Sequence, residues 1–285
     1  MNTLRRGAAP LLYSFLVCAC ALLFAGCEVF ADYEDTCDNT EPRELSASVD
    51  GASSIEVIAL AGSLEVVGTT TETVEAVGEA CASRQEDLSD IQLTSRRSGD
   101  RVIVEVVIPE KEGNWNQQRR LDLRVEVPSN LSVRIKDGSG SIMASDLADL
   151  EVDDGSGSLD VRNIAGDLRI GDGSGSVNVD GVGGNAWIDD GSGSLIIARV
   201  DGNLEIEDGS GEIEVRTVGR DVLITEDGSG PIDVADVGGN FEVRRDGSGS
   251  IAARDVSGDF IVDRDGSGGI RHDGVGGRVS IPEDD

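Results

Sequence analysis

The chain has 285 residues with 55 acidic and 24 basic side chains, for a formal net charge of −31. So acidic a surface excludes nucleic acid and anionic lipid as electrostatic partners and suits solubility, cations or a basic partner. Lysine is nearly absent, at Lys111 and Lys136 only, and the remaining cations are arginine.

At the N-terminus, Arg5 and Arg6 precede an apolar run from Ala8 to Ala25. The run is too short and too early for a membrane span and reads as a secretory signal. It closes on Leu23-Phe24-Ala25-Gly26-Cys27, which resembles the lipobox of bacterial lipoproteins, with Phe24 where that family usually has leucine. The resemblance implies cleavage after residue 26 and lipidation of Cys27; an ordinary signal peptide is the alternative. Loss of residues 1–26 removes two arginines, so the mature charge becomes 22 minus 55, or −33. Acyl chains contribute about 0.8 kcal/mol per buried methylene, so several would hold the domain on a membrane. Glu28 follows the lipid cysteine where enteric inner-membrane lipoproteins carry Asp, which favours the outer membrane. Residues 27–44 read as a tether. Cys18 and Cys20 leave with the leader, which leaves Cys37 and Cys81 as an even pair in an exported chain. A disulfide between them is expected, with two free thiols as the alternative.

From residue 45 the chain reads as one β-body, irregular to residue 136 and regular over 137–281. Its first segment, Ile55, Val57, Leu60, Leu64 and Val66, steps by 2, 3, 4 and 2 residues. Strands are expected at Thr73–Val77, Ile91–Thr94, Val102–Ile108, Leu121–Val127 and Leu131–Ile135, with a polar loop over Glu110–Arg119 carrying Trp115. A separate N-terminal β-domain is the alternative. From Asp137 the core DGSG recurs at Asp154, Asp172, Asp190, Asp208, Asp227, Asp246 and Asp265, at spacings of 17 to 19 residues. Between copies the apolar positions keep the 2, 3, 4, 2 steps, as in Leu159, Val161, Ile164, Leu168 and Ile170.

A step of two is strand periodicity, so each unit holds two short strands with a corner between them. Units this short cannot bury a core alone but bury a continuous one when stacked. The expected fold is an all-β, single-chain parallel β-solenoid, its coils about 4.8 Å apart. DGSG is then a corner of each coil, with glycine for the bend and Asp or Ser bonding to turn amides. The extra residue of the longer coils is expected at Glu226, Arg245 or Arg264, just before the turn. Residues 282–285 are an acidic tail that blunts the final edge.

The exported leader, the "VEVPSN" stretch Val125–Asn130, and the repeated "DGSGSLDV" and "GDLRI" units together resemble the bacterial "putative adhesin" domain of unknown function. The chain is also similar to the related head domain of auto-transporter adhesins. The resemblance spans roughly residues 45–281. It implies an exported or membrane-attached β-solenoid in the cell envelope and offers no catalytic motif. Its partner would be an unidentified protein or surface glycan.

No converging catalytic set is legible, so the chain is expected to be a non-enzymatic adhesion or protein-interaction scaffold without a cofactor; a cation-binding structural or accessory envelope protein is the alternative, followed by a carbohydrate-active solenoid enzyme working through paired carboxylates. His272 is the only histidine and falls at an inward position of the last coil. The nucleophile-elbow pattern fails at every DGSG, and neither a P-loop nor a Cys/His zinc set is present. Nine-residue calcium repeats share the coil length, but their ligand position is Leu, Val or Ile here. Stacked aspartates would still repel, so they must be solvated, bonded to turn amides, paired with arginine or bridged by cations. Turn bonding is the favoured reading. If calcium binds, the candidates are Asp189, Asp190, Glu207, Asp208, Glu226 and Asp227, where acids double up. The outward column of the second strand carries Trp187, Leu223 and Ile261 where solvent is expected, and these are the candidate partner face.

Overall fold

The structure is a computed structural model that describes residues 37–109 and 118–282. Two twelve-stranded sheets face each other across one continuous apolar core. One sheet stacks the strands that follow DGSG: Gly140–Leu147, Gly157–Ile164, Gly175–Val182 and their successors. The other stacks the strands that precede it: Ser132–Asp137, Leu150–Asp154, Leu168–Asp172 and onward. Pairing between coils is parallel and in register, so Leu159 lies on Val177 and Val177 on Leu195. The inward positions of the 2, 3, 4, 2 pattern are buried, among them Leu159, Val161, Ile164, Leu168 and Ile170. The chain is therefore an all-β solenoid with parallel sheets and an irregular N-terminal part.

The irregularity has a specific form. The coil made by Ser54–Ile58 and Leu64–Thr69 does not lie at the end of the stack. It inserts between the coil of Arg101–Val107 and Arg119–Pro128 and the coil that begins at Ser132. Antiparallel strands then close this end. Thr73–Ala82 joins Asn39–Ser48 to Arg119–Pro128, and Gln92–Ser98 covers Arg101–Val107. A short 3₁₀ turn at Gln85–Asp90 plugs the core below with Leu88, and Ile91 follows it. Arg43 fixes the plug, donating through Nε to Ile91 O (2.8 Å) and Nη2 to Leu88 O (2.6 Å). The strand Asn39–Ser48 corrects the tether reading of 27–44: residues 39–44 are paired body. A disulfide joins Cys37 to Cys81 and anchors the start of that strand. The polar-loop residues 110–117 lie outside the described residues.

The opposite end is open. Ile270–Asp273 and Val279–Ser280 are edge strands, with Ile270, Val275 and Val279 only half-buried. His272 lies in register on Ala253, an inward position, yet is exposed, with no further coil among the described residues stacked on it. Phe260 packs between Phe241 at 5.2 Å and His272 at 6.2 Å. The tail residues 283–285 lie outside the described residues.

The longer coils correct one expectation. Glu226 pairs with Glu207, so the extra residue is Thr225, held in a bulge. Its hydroxyl donates to Ile206 O at 3.1 Å, and Ile224 and Asp227 keep their inward places. Among the described residues no helix is long and apolar enough to cross a membrane.

Candidate functional site

Two features of the solenoid carry unusual chemistry: the inside of the DGSG corner and the outer face of the second sheet.

At the corner, the strand period of two decides where each acid points. Asp172 follows Ile170 by two residues and faces inward with it. The same holds for Asp137, Asp154, Asp190 and Asp208, while Asp227 and Asp246 follow Ile224 and Val243 by three residues and reach the inside because the longer coils carry one extra residue; all are buried, from 8% exposed at Asp137 to 1% at Asp208 and Asp227. Asp265 is half-exposed near the open end. Register stacks each on the next: Asp190 on Asp172, Asp208 on Asp190, Asp227 on Asp208. Bridges continue the column from Asp227 to Asp246 and Asp265. In four members one carboxyl oxygen accepts from the serine amide two residues on: Asp154 from Ser156, Asp172 from Ser174, Asp190 from Ser192 and Asp208 from Ser210, each at 3.3 Å. Their second oxygens are buried without a partner, and Asp137, Asp227 and Asp246 have neither oxygen partnered.

Burial pushes these carboxyls up from the usual range, and the neighbouring column acids add to it at several positions. Asp137 and Asp190 rise to about 6. Asp227 is raised by burial first and by Asp246 second, whereas Asp246 is raised by burial and by Asp265, with Asp227 pulling it the other way. Bonds to the turn amides pull the other way and do not offset it.

The six candidate cation ligands are not brought together. Asp189, Glu207 and Glu226 are exposed on the outer face, while Asp190, Asp208 and Asp227 point into the core from the same strands. Among the described residues no group of three or more His, Cys, Asp and Glu side chains is arranged to hold a metal ion.

The opposite corner is closed by a second ladder that residue type alone does not reveal. Asp149 accepts from the Asp167 amide, Asp167 from Asn185, Asn185 from Asn203, and so on to Asp259, which accepts from Arg278. Its sequence signal is the Asp or Asn three residues after the inward corner residue, as Asp167 follows Ile164 and Asn203 follows Val200.

On the outer face of the second sheet, register sets Arg134, Glu151, Arg169, Trp187, Glu205, Leu223, Glu242 and Ile261 in one column. Trp187, Leu223 and Ile261 share this line but alternate with glutamates, so they form no continuous apolar patch. All three are half-buried. Met143 and Ile196, the more exposed apolar residues, lie on the other sheet. The Arg169 guanidinium stacks over the Trp187 ring at 5.1 Å and makes no ion pair among the described residues. Three shallow hollows meet at Trp187. The first, about 340 Å3, is lined by Ser54, Arg101, Ser132, Arg134, Asp149, Asp167 and Arg169. The others take in Asp189, Glu205 and Thr225 on one side and Asn185, Asn203 and Leu223 on another.

In register beside Arg134, buried Glu56 binds Arg101 at 3.0 Å and Lys136 at 3.1 Å. Burial works to raise its carboxyl, but these two cations hold it below the usual range. Glu56 thus fixes the cationic end of the face. Glu151 holds Arg134 at 3.2 Å.

This fold, a stack of Gly-cornered parallel coils with an acid inside each corner, defines the class. The chain belongs to the Toastrack DUF4097 family, whose model matches residues 71–265. Among solved structures it is similar to a "putative lipid binding protein" from Parabacteroides distasonis, at 15% identity and a TM-score of 0.50, covering 86% of this chain and 98% of that one. It is also similar to a "putative adhesin" from Bacteroides fragilis, at 10% identity and a TM-score of 0.43, over 86% and 98% of the two chains. Among curated proteins, none matches this sequence. Cys27 lies outside the described residues.

Proposed function

We propose that this protein is a non-enzymatic binding scaffold of the bacterial cell envelope, anchored by lipid at Cys27, that holds a surface glycan on the outer face of its second sheet. The observation that carries this reading is Trp187, half-buried, stacked by Arg169, which has no ion pair among the described residues, and set where three shallow hollows meet. An indole presents a flat, electron-rich face suited to the C–H face of a sugar ring. The surrounding Ser, Asn, Asp and Arg side chains supply donors and acceptors for hydroxyls. The hollow is of ligand size, though shallow. The strong negative charge of the chain argues against nucleic acid as partner. The acidic column at the DGSG corner, sealed inside the coils, is architecture in this reading. Names given to the structural neighbours, adhesin and lipid-binding protein, are compatible with an envelope role.

The test is retention of the full chain and of Trp187→Ala on an array of bacterial envelope glycans and host-type glycans. The reading expects a subset of glycans to retain the wild-type chain and lose the variant at least tenfold. Equal retention of both chains would overturn it. Fractionation of cells expressing Cys27→Ser tests the anchor, with loss of the protein from the membrane fraction expected.

A further inference from the structure

We infer that the column of DGSG aspartates is a proton-binding spine: neighbouring buried carboxyls share protons in the folded solenoid at neutral pH, so the fold takes up protons as it forms and loosens as they are withdrawn. The argument starts from geometry. Register stacks Asp190 on Asp172 and Asp227 on Asp208, and bridges carry the column on to Asp246 and Asp265, so successive carboxyls stand next to each other at the coil spacing of about 4.8 Å. Each such contact joins two acceptors when both groups are ionised. One proton turns it into a donor and an acceptor. The oxygens left over at the turn are sealed from solvent, and Asp227, 1% exposed, has both of its oxygens in that position.

The surroundings supply no counter-charge. Among the described residues no ion pair reaches any column aspartate, and the acids acting on each are its column neighbours, with Asp153 adding to Asp154. The residues just before the turn, Lys136, Asp153, Asp189, Glu207, Glu226, Arg245 and Arg264, lie on the outer side, and Lys136 and Arg245 are engaged by Glu56 and Glu226. On the inner side the column continues rows of Val, Leu, Ile, Ala and Phe. A stack of like charges in such a place does not stay fully ionised.

The sign follows from linkage. Carboxyls that hold protons more tightly folded than unfolded stabilise the fold in acid and lose that contribution as pH rises. The window opens near pH 4, the ordinary carboxyl range, extends through about pH 6 for Asp137 and Asp190, and reaches about pH 8 at Asp227.

The experiment is a thermal melt of the full chain from pH 4 to pH 8.5, with calcium and with chelator. Alongside it run Asp190→Asn/Asp208→Asn/Asp227→Asn and a charge-matched outer-face control, Asp189→Asn/Glu207→Gln/Glu226→Gln. The wild-type midpoint is expected to fall on the order of 10 °C over this range. The control falls as much, while the column variant falls much less and matches or exceeds wild type at pH 8. An infrared band of protonated carboxyl in the wild type at pH 7 reads the same claim if the variant does not fold. A flat wild-type profile, a column variant that keeps the full fall, or no protonated band at pH 7 would overturn the inference. So would a large calcium-dependent rise at pH 8 that the column variant loses, which would assign the column to cations.

Discussion

Gly193→Ala puts the stacking of DGSG corners to a quantitative test. Gly193 has φ +151°, and a Cβ there would lie 1.5 Å from the carbonyl oxygen of Gly175 in the coil below. Ordinary contact begins near 3.4 Å, so the neighbouring coil would have to retreat by about 2 Å. The coils are only about 4.8 Å apart and are tied at this rung by Gly175 N to Ser192 O and Gly193 N to Ser210 O, both 2.9 Å. Overpacking costs roughly 1–3 kcal/mol, the backbone strain a similar amount, and a broken buried hydrogen bond about 1 kcal/mol more. A loss of about 3–7 kcal/mol is expected, a large part of a typical folding stability. The control is Gly171→Ala, where a Cβ meets nothing within 4 Å and φ is ordinary. It should stay within about 0.5 kcal/mol of wild type. Urea unfolding followed by far-UV circular dichroism reads both, the midpoint moving at constant slope. A Gly193→Ala midpoint equal to wild type, or an equal loss in both variants, would refute close backbone stacking at this corner.

Thr217 holds φ +62° at an exposed bend where the coil two below has Gly181, so Thr217→Gly should raise stability by about 1 kcal/mol in the same urea assay. Reduction of the Cys37–Cys81 disulfide, which closes a separation of 44 residues, should cost about 4 kcal/mol by chain entropy, read as a lower urea midpoint in reductant. Glu56→Gln removes the carboxylate that gathers Arg101 and Lys136. It leaves those cations uncompensated and should lower stability by about 2 kcal/mol near pH 7, with the difference from wild type shrinking as acid protonates Glu56 below its lowered titration range.

The solenoid was legible because its signal is a period. Leu159, Val161, Ile164, Leu168 and Ile170 repeat with a spacing that only stacked two-strand coils satisfy, and all five are buried. What escaped is what a period does not encode. The coil of Ile55 and Val57 lies inside the stack because Arg101–Val107 pairs below it, a choice of neighbour that local sequence does not specify. The burial of the aspartates was present in the same step of two that joins Ile170 to Asp172. The polarity of the residue argues against it, and only stacking that shields both faces of the turn enforces it. The acids doubled at Asp189–Asp190 suggested convergence, but adjacent strand residues face opposite ways. Trp187 was legible as an outward aromatic. Its contact with Arg169 and the hollows around it depend on side chains from several coils.

Fluorescence of Trp187 itself tests the functional account most directly. Trp115→Phe leaves Trp187 as the sole tryptophan, and its emission can be titrated with any glycan that the array retains. The account predicts a saturable change in emission as the sugar covers the indole, with a midpoint matching the affinity measured independently. Binding with no change in Trp187 emission would place the partner elsewhere on the solenoid and contradict the assignment of this face.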